Sequence, residues 1–224
     1  MDVALASSSL AMVGPQYCAP YPLQLIFAEK APGVKRKNLA VTDIFGNLIF
    51  RTEKAGSLFA HQRVILDAAT GFVILSAEKK MMDLNEEWHV FRGNSFDQRD
   101  LLFTVQRTAA VQIKTELNVF LATNMRKDAF DFKVEGSYYM GSCKISSSDS
   151  SVIAEMSKEH DTKLKKGSVA VSVDPNTDFA FVAALMVIRH EFHVEGKKMI
   201  FTAAFSGGTS VPATVAKLAL RRLT

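Results

Sequence analysis

The chain has 224 residues, of which 48% are apolar and 22% charged, enough to fill a sizeable core and to exclude a wholly disordered polypeptide. Its 27 basic and 23 acidic side chains leave a net charge of +4, compatible with an anionic partner but too small to demand one. Two cysteines, Cys18 and Cys143, exclude a disulfide framework and a four-cysteine metal site, and no Asn-x-Ser/Thr acceptor occurs, which fits an intracellular setting.

Residues 1–16 read as a flexible arm, because Asp2 and the Ser7-Ser8-Ser9 run break the pattern of a secretory signal. From Leu23 onward, apolar side chains recur with period two. Leu23, Leu25 and Phe27 come first, then Leu39 and Val41, and after an Asp43-to-Asn47 turn, Leu48 and Phe50. The runs 63–67 and 72–75 flank Ala68-Ala69-Thr70-Gly71, and 88–92 follows. Leu101/Phe103/Val105, Leu117/Val119/Leu121, Phe132/Val134, 143–145, Val152/Ala154/Met156 and Val169/Val171/Val173 complete the series. Alternation interrupted by Gly, Asn and Asp predicts about twelve antiparallel strands, each with one buried face. No helical pattern of ~10–15 residues separates them, so a βαβ sheet is not expected.

Pro175-Asn176-Thr177-Asp178 is a helix-start signal, and Phe179 to Ile188 is apolar around its whole circumference. Those ten residues would cover ~15 Å, half of a ~30 Å hydrocarbon core, so no transmembrane segment is expected. A helix without a polar face must be surrounded. A wide barrel can hold one, so the expected fold is mainly β, a closed antiparallel barrel around a central C-terminal helix at about 178–193. A two-sheet sandwich clamping the helix is the competing arrangement. The barrel domain is expected over 17–194, followed by an extension over 195–224. Within that extension Val215, Leu218 and Ala219 oppose Lys217, Arg221 and Arg222, a short basic amphipathic pattern.

Signatures of catalysis are missing. There is no Gly-x-Ser-x-Gly elbow, P-loop or Gly-x-Gly-x-x-Gly, so a non-enzymatic protein without cofactors is expected. His190 and His193 lie three apart rather than four, and positive side chains near a helix C-terminus explain them better than a metal does. The charges of Phe91–Phe103 (FRGNSFDQRDLLF) read as turn caps and local pairs. Trp88 and the phenylalanines fall on apolar faces as core, so nucleic acid is disfavoured.

The stretches Tyr17-Cys18-Ala19-Pro20-Tyr21-Pro22, Val41-Thr42-Asp43, Gly46-Asn47-Leu48-Ile49-Phe50, Phe91-Arg92-Gly93, Asp97 to Phe103, Asp131 to Ser137 and Asp178 to Ala183 together resemble the LURP-one-related proteins of plants. That family is related in fold to the tubby C-terminal domain and the phospholipid scramblases. The resemblance covers about residues 17 to 192. It implies a tubby-like barrel around a hydrophobic helix and a role in plant defence, as for some relatives. The chain departs from the family pattern after the helix, where Arg189-His190-Glu191-Phe192-His193 and some thirty further residues replace an acidic ending.

Basic clusters carry the functional expectation. Lys35, Arg36 and Lys37 lie between the first two strands, and Lys163, Lys165 and Lys166 precede the last, with Arg126-Lys127 in a third connection. An anionic membrane offers ~1 kcal/mol per nearby cation, so one triplet gives ~3 kcal/mol and two converging triplets would matter. The expected role is binding or signalling at phosphoinositide headgroups, by an intracellular protein of cytoplasm or nucleus that associates peripherally with the plasma membrane. A protein-interaction scaffold without lipid affinity, or a tubby-like transcriptional regulator, is the alternative.

Overall fold

The period-two stretches pair edge to edge in the computed structural model, which describes residues 11–29, 34, 38–56, 61–82, 85–108, 115–136, 142–157 and 167–205. The strands are β1 (Leu23–Ala28), β2 (Ala40–Thr42), β3 (Leu48–Ala55), β4 (Gln62–Asp67), β5 (Val73–Met82) and β6 (Asn85–Arg92). They continue as β7 (Leu101–Arg107), β8 (Thr115–Leu121), β9 (Phe132–Gly136), β10 (Cys143–Ser147), β11 (Val152–Ser157) and β12 (Ser168–Val173). Each strand pairs antiparallel with the next, and β12 returns to β1, closing a barrel. At that seam Leu25 faces Val171 and Phe27 faces Val169. Register shifts at Val41/Thr42, Ile65/Leu66, Val90/Phe91 and Ile145/Ser146 supply the bends that a closed sheet needs.

Inward positions are the alternating apolar residues anticipated from sequence, among them Leu25, Phe50, Leu75, Trp88, Phe103, Leu117, Val134 and Val173, all nearly inaccessible. They enclose α1 (Phe179–Phe205). Ala180 through Ile188 are buried on every side, which is why no polar face was needed. Phe181 sits edge-on to Phe103 and Phe132, each ring 5.0 Å away. The sandwich alternative is thereby overturned: the sheet is one continuous cylinder.

Two boundaries differ from expectation. The helix continues to Phe205 rather than stopping near 193, because a single Gly196 costs only ~1 kcal/mol relative to alanine and does not stop a helix. At the other end, residues 11–16 are fixed rather than free. Val13 is buried, Pro15–Tyr17 form a short 3-10 turn, and Cys18 bridges to Asp178. Residues 1–10 and 206–224 lie outside the described residues. Among the described residues no helix is long and apolar enough to cross a membrane.

Candidate functional site

With its interior filled by α1, the barrel offers its two mouths and its outer wall. The mouth where α1 begins is stoppered by Asp178, which is fully buried. Its Oδ1 accepts the amides of Ala180 and Phe181, both at 3.0 Å, as an N-cap should. Its Oδ2 accepts the amides of Val13 at 2.7 Å and Gly14 at 3.1 Å, stitching the lead-in segment to the helix. Burial pushes this carboxyl above the ordinary aspartate range, and the four amide donors oppose that push. Asn176, with φ 60°, turns the chain from β12 into the helix and donates its amide to the Ala19 carbonyl at 2.6 Å. Beside this stopper an open groove of about 610 Å³ runs between Tyr21, Ile44, Phe45, Ile49 and Phe179, with Asp43 on its edge.

At the mouth where α1 leaves, the helix turns polar and meets charges from the wall. Arg63 donates from Nε and Nη2 to the two oxygens of Glu191 at 2.7 and 2.9 Å, with both side chains largely buried. Lys79 reaches Glu195 at 2.7 Å and Glu86 at 2.9 Å. Burial disfavours its ammonium, but the two carboxylates outweigh that and raise its pKa. His61 and His190 stand 3.5 and 3.9 Å from Glu195 and Glu29. The buried Arg189 donates to the Ser142 carbonyl at 3.2 Å. Several cations of this mouth are thus already matched by carboxylates.

The predicted lipid-binding residues Lys35, Arg36, Lys37, Lys163, Lys165 and Lys166 all lie outside the described residues. The strand ends that bound both stretches do share one rim: Ala28 pairs with Ala40 on one side and with Ser168 on the other, at the mouth where α1 leaves. The third cluster does not join them. Arg126-Lys127 follows β8 in a connection at the opposite end of the strands, and Lys127 Nζ is bound to Glu87 at 2.6 Å.

Other singled-out groups have structural partners. Asp97 caps the Gln98–Asp100 turn and pairs with Arg99 at 2.7 Å, Ser95 binds Asp100, and Arg92 donates to the Val13 carbonyl. His190 and His193 lie buried in mid-helix rather than at its end. No cluster of three metal-ligating side chains occurs among the described residues. Burial pushes the Cys18 and Cys143 thiols up, the opposite of an activated nucleophile.

Sequence reasoning missed Glu87 on the outer wall. It accepts hydrogen bonds from Lys127 and, at 2.8 Å, from Gln106 Nε2, and His89 Nε2 stands 3.0 Å away. Burial opposes its charge, but these partners prevail and hold the carboxyl down at about 2. The missing signal is nonlocal, since Lys127 arrives from 40 residues away.

A closed antiparallel barrel plugged along its axis by one apolar helix defines a class of domain whose interior is core, not ligand cavity. The chain belongs to the LURP-one-related family, whose model matches residues 23–190. It is 37% identical over 190 residues to the Arabidopsis thaliana protein LURP-one-related 15, covering 83% of this chain and 87% of that one. It is 37% identical to LURP-one-related 10 of the same plant, covering 83% and 98%, and 34% identical to protein LURP1, covering 83% and 91%. An X-ray structure of an Arabidopsis thaliana protein, 35% identical, superposes with a TM-score of 0.64, covering 82% of this chain and 98% of the other. The family match ends inside α1, so the helix from Glu191 onward lies beyond it.

Proposed function

We propose that this LURP-one-related barrel is a non-enzymatic binding module that associates with anionic, phosphoinositide-bearing membrane surfaces through the rim where α1 leaves. The observation that carries this reading is the shared rim of the strand ends bounding the two basic stretches: Ala28 pairs with both Ala40 and Ser168, and Ser157 pairs with Ala170. Six cations in neighbouring connections would add ~1 kcal/mol each near an anionic surface, enough for reversible recruitment. Raised thiol pKa values and locally paired charges in the Phe91–Phe103 segment support binding over catalysis. The family resemblance supports an intracellular role in plant defence, peripheral to the plasma membrane.

Co-sedimentation with neutral, anionic and phosphoinositide liposomes at low and high salt tests this. Selective pelleting that salt weakens, and that Lys35→Glu/Arg36→Glu/Lys37→Glu abolishes, is the expected result. Absence of pelleting with every liposome at low salt would reject the membrane reading.

A further inference from the structure

The six large apolar side chains exposed among the described residues are Tyr21, Ile44, Phe45, Leu48, Phe72 and Met125. All lie in connections or strand ends at the mouth where α1 begins. Tyr21, Ile44 and Phe45, exposed by 63%, 57% and 82%, line the groove of about 610 Å³, a volume within the ~300–1,000 Å³ of ligand-sized sites. None of its lining residues is basic. Asp43 on its edge accepts hydrogen bonds from the Phe45 and Asn47 amides and the Asn47 side chain, all neutral donors. Asp67, in the next turn, is likewise held by Thr70. Among the described residues neither carboxylate has a bonded cation. The complementary occupant is a segment with an apolar stripe and a basic one.

The chain carries such a segment. In helical projection residues 211–224 (VPATVAKLALRRLT) place Val215, Leu218 and Ala219 opposite Lys217 and Arg221. They cannot return to their own groove as a helix. Phe179 lines the groove, and the 27-residue helix carries Phe205 ~40 Å away from it at 1.5 Å per residue. Residues 206–210, fully extended, recover ~17 Å, and a helix over 211–224 another ~21 Å, before any detour around the barrel wall. We propose that this groove receives residues 211–224 of a second copy of the chain. The segment, marginal as a free helix, folds against Tyr21, Ile44 and Phe45 with its cations toward Asp43 and Asp67. Because groove and segment are different surfaces, the contact is head-to-tail, and each copy offers both a groove and a segment for further association.

Sedimentation of the full-length chain over a wide concentration range, at low and high salt, provides the test. The weight-average mass is expected to rise with concentration and to rise less at high salt. The groove variant Ile44→Ser/Phe45→Ser changes only exposed side chains and keeps the fold, as far-UV circular dichroism will register. It and the tail variant Leu218→Asp/Arg221→Glu should each be monomeric alone. Mixed together they should give a dimer of one copy of each that grows no further, since one retains the segment and the other the groove. A monomeric wild type at every concentration, association that either variant leaves intact, or no dimer on mixing would overturn the proposal. No lipid enters this measurement, so its outcome is separate from that of membrane recruitment through the opposite rim.

Discussion

Asp178 accepts the Val13 amide at 2.7 Å across a sequence separation of 165 residues, so one carboxylate both caps the central helix and fixes the lead-in segment. Replacing Asp178 by alanine leaves four buried amides without their acceptor. Loss of a cap costs ~1 kcal/mol and each unsatisfied buried group ~1–3 kcal/mol, so a total of ~3–4 kcal/mol is expected after water relieves part of the deficit. Urea denaturation of Asp178→Ala checks this. Asp178→Asn keeps one carbonyl acceptor and should lose roughly half as much. Limited proteolysis should also cut earlier within residues 11–16 in the alanine variant.

Glu87 makes stability depend on acid. Its carboxyl titrates at about 2 in the folded chain against an ordinary 4.5. Its contribution is therefore fully present above 4.5 and is lost as pH falls through about 2. The difference corresponds to ~3 kcal/mol at neutral pH. Urea midpoints measured from pH 7 down to the acid limit should decline steeply in the wild type. They should decline less in Glu87→Gln, which starts lower and has no such carboxylate to protonate.

Arg63 and Glu191 form a largely buried, doubly hydrogen-bonded pair between the wall and α1. Arg63→Met alone strands the Glu191 charge and should cost ~3–5 kcal/mol. The double variant Arg63→Met/Glu191→Met should recover most of that loss, because a well-packed apolar pair often equals a buried ion pair. A double-mutant cycle from denaturation curves measures the coupling. An additive double variant would show that the pair does not anchor the helix.

Phe181 fills the barrel axis between Phe103 and Phe132. Truncation to alanine opens a void that a closed sheet cannot collapse to fill, so ~3–5 kcal/mol of stability should be lost. Phe181→Leu, which keeps most of the volume, should lose ~1–2 kcal/mol. Thermal unfolding monitored by circular dichroism distinguishes the two.

The strands were legible because the inward residues, from Leu25 to Val173, repeat with a fixed period that local sequence displays. The helix was legible in position for the opposite reason: Phe179 to Ile188 has no polar face, which only enclosure permits. Its length was not, since Glu195-Gly196-Lys197-Lys198 looks like a break. Glu195 instead binds Lys79 and His61 on the wall, contacts that no local pattern shows. The Asp178–Val13 link and the Glu87 cluster stayed hidden for the same reason. Asp43 could be read as a turn former, but that Tyr21, Phe45 and Phe179 frame one groove depends on the β1–β12 closure.

The β1–β12 seam also sets the order of events during synthesis. Strand β1 emerges from the ribosome well before its second partner, which comes only with Ser168–Val173. Until then the nascent sheet carries two open edges, each a template for pairing with another chain. The helix that fills it is made later still. The unfinished cylinder is therefore an apolar trough awaiting its plug, and a chain that stalls between Val173 and Ile188 would expose the whole inner wall. Such a protein gains most from a folding helper late in translation, when nearly all of its sheet already exists and its core does not.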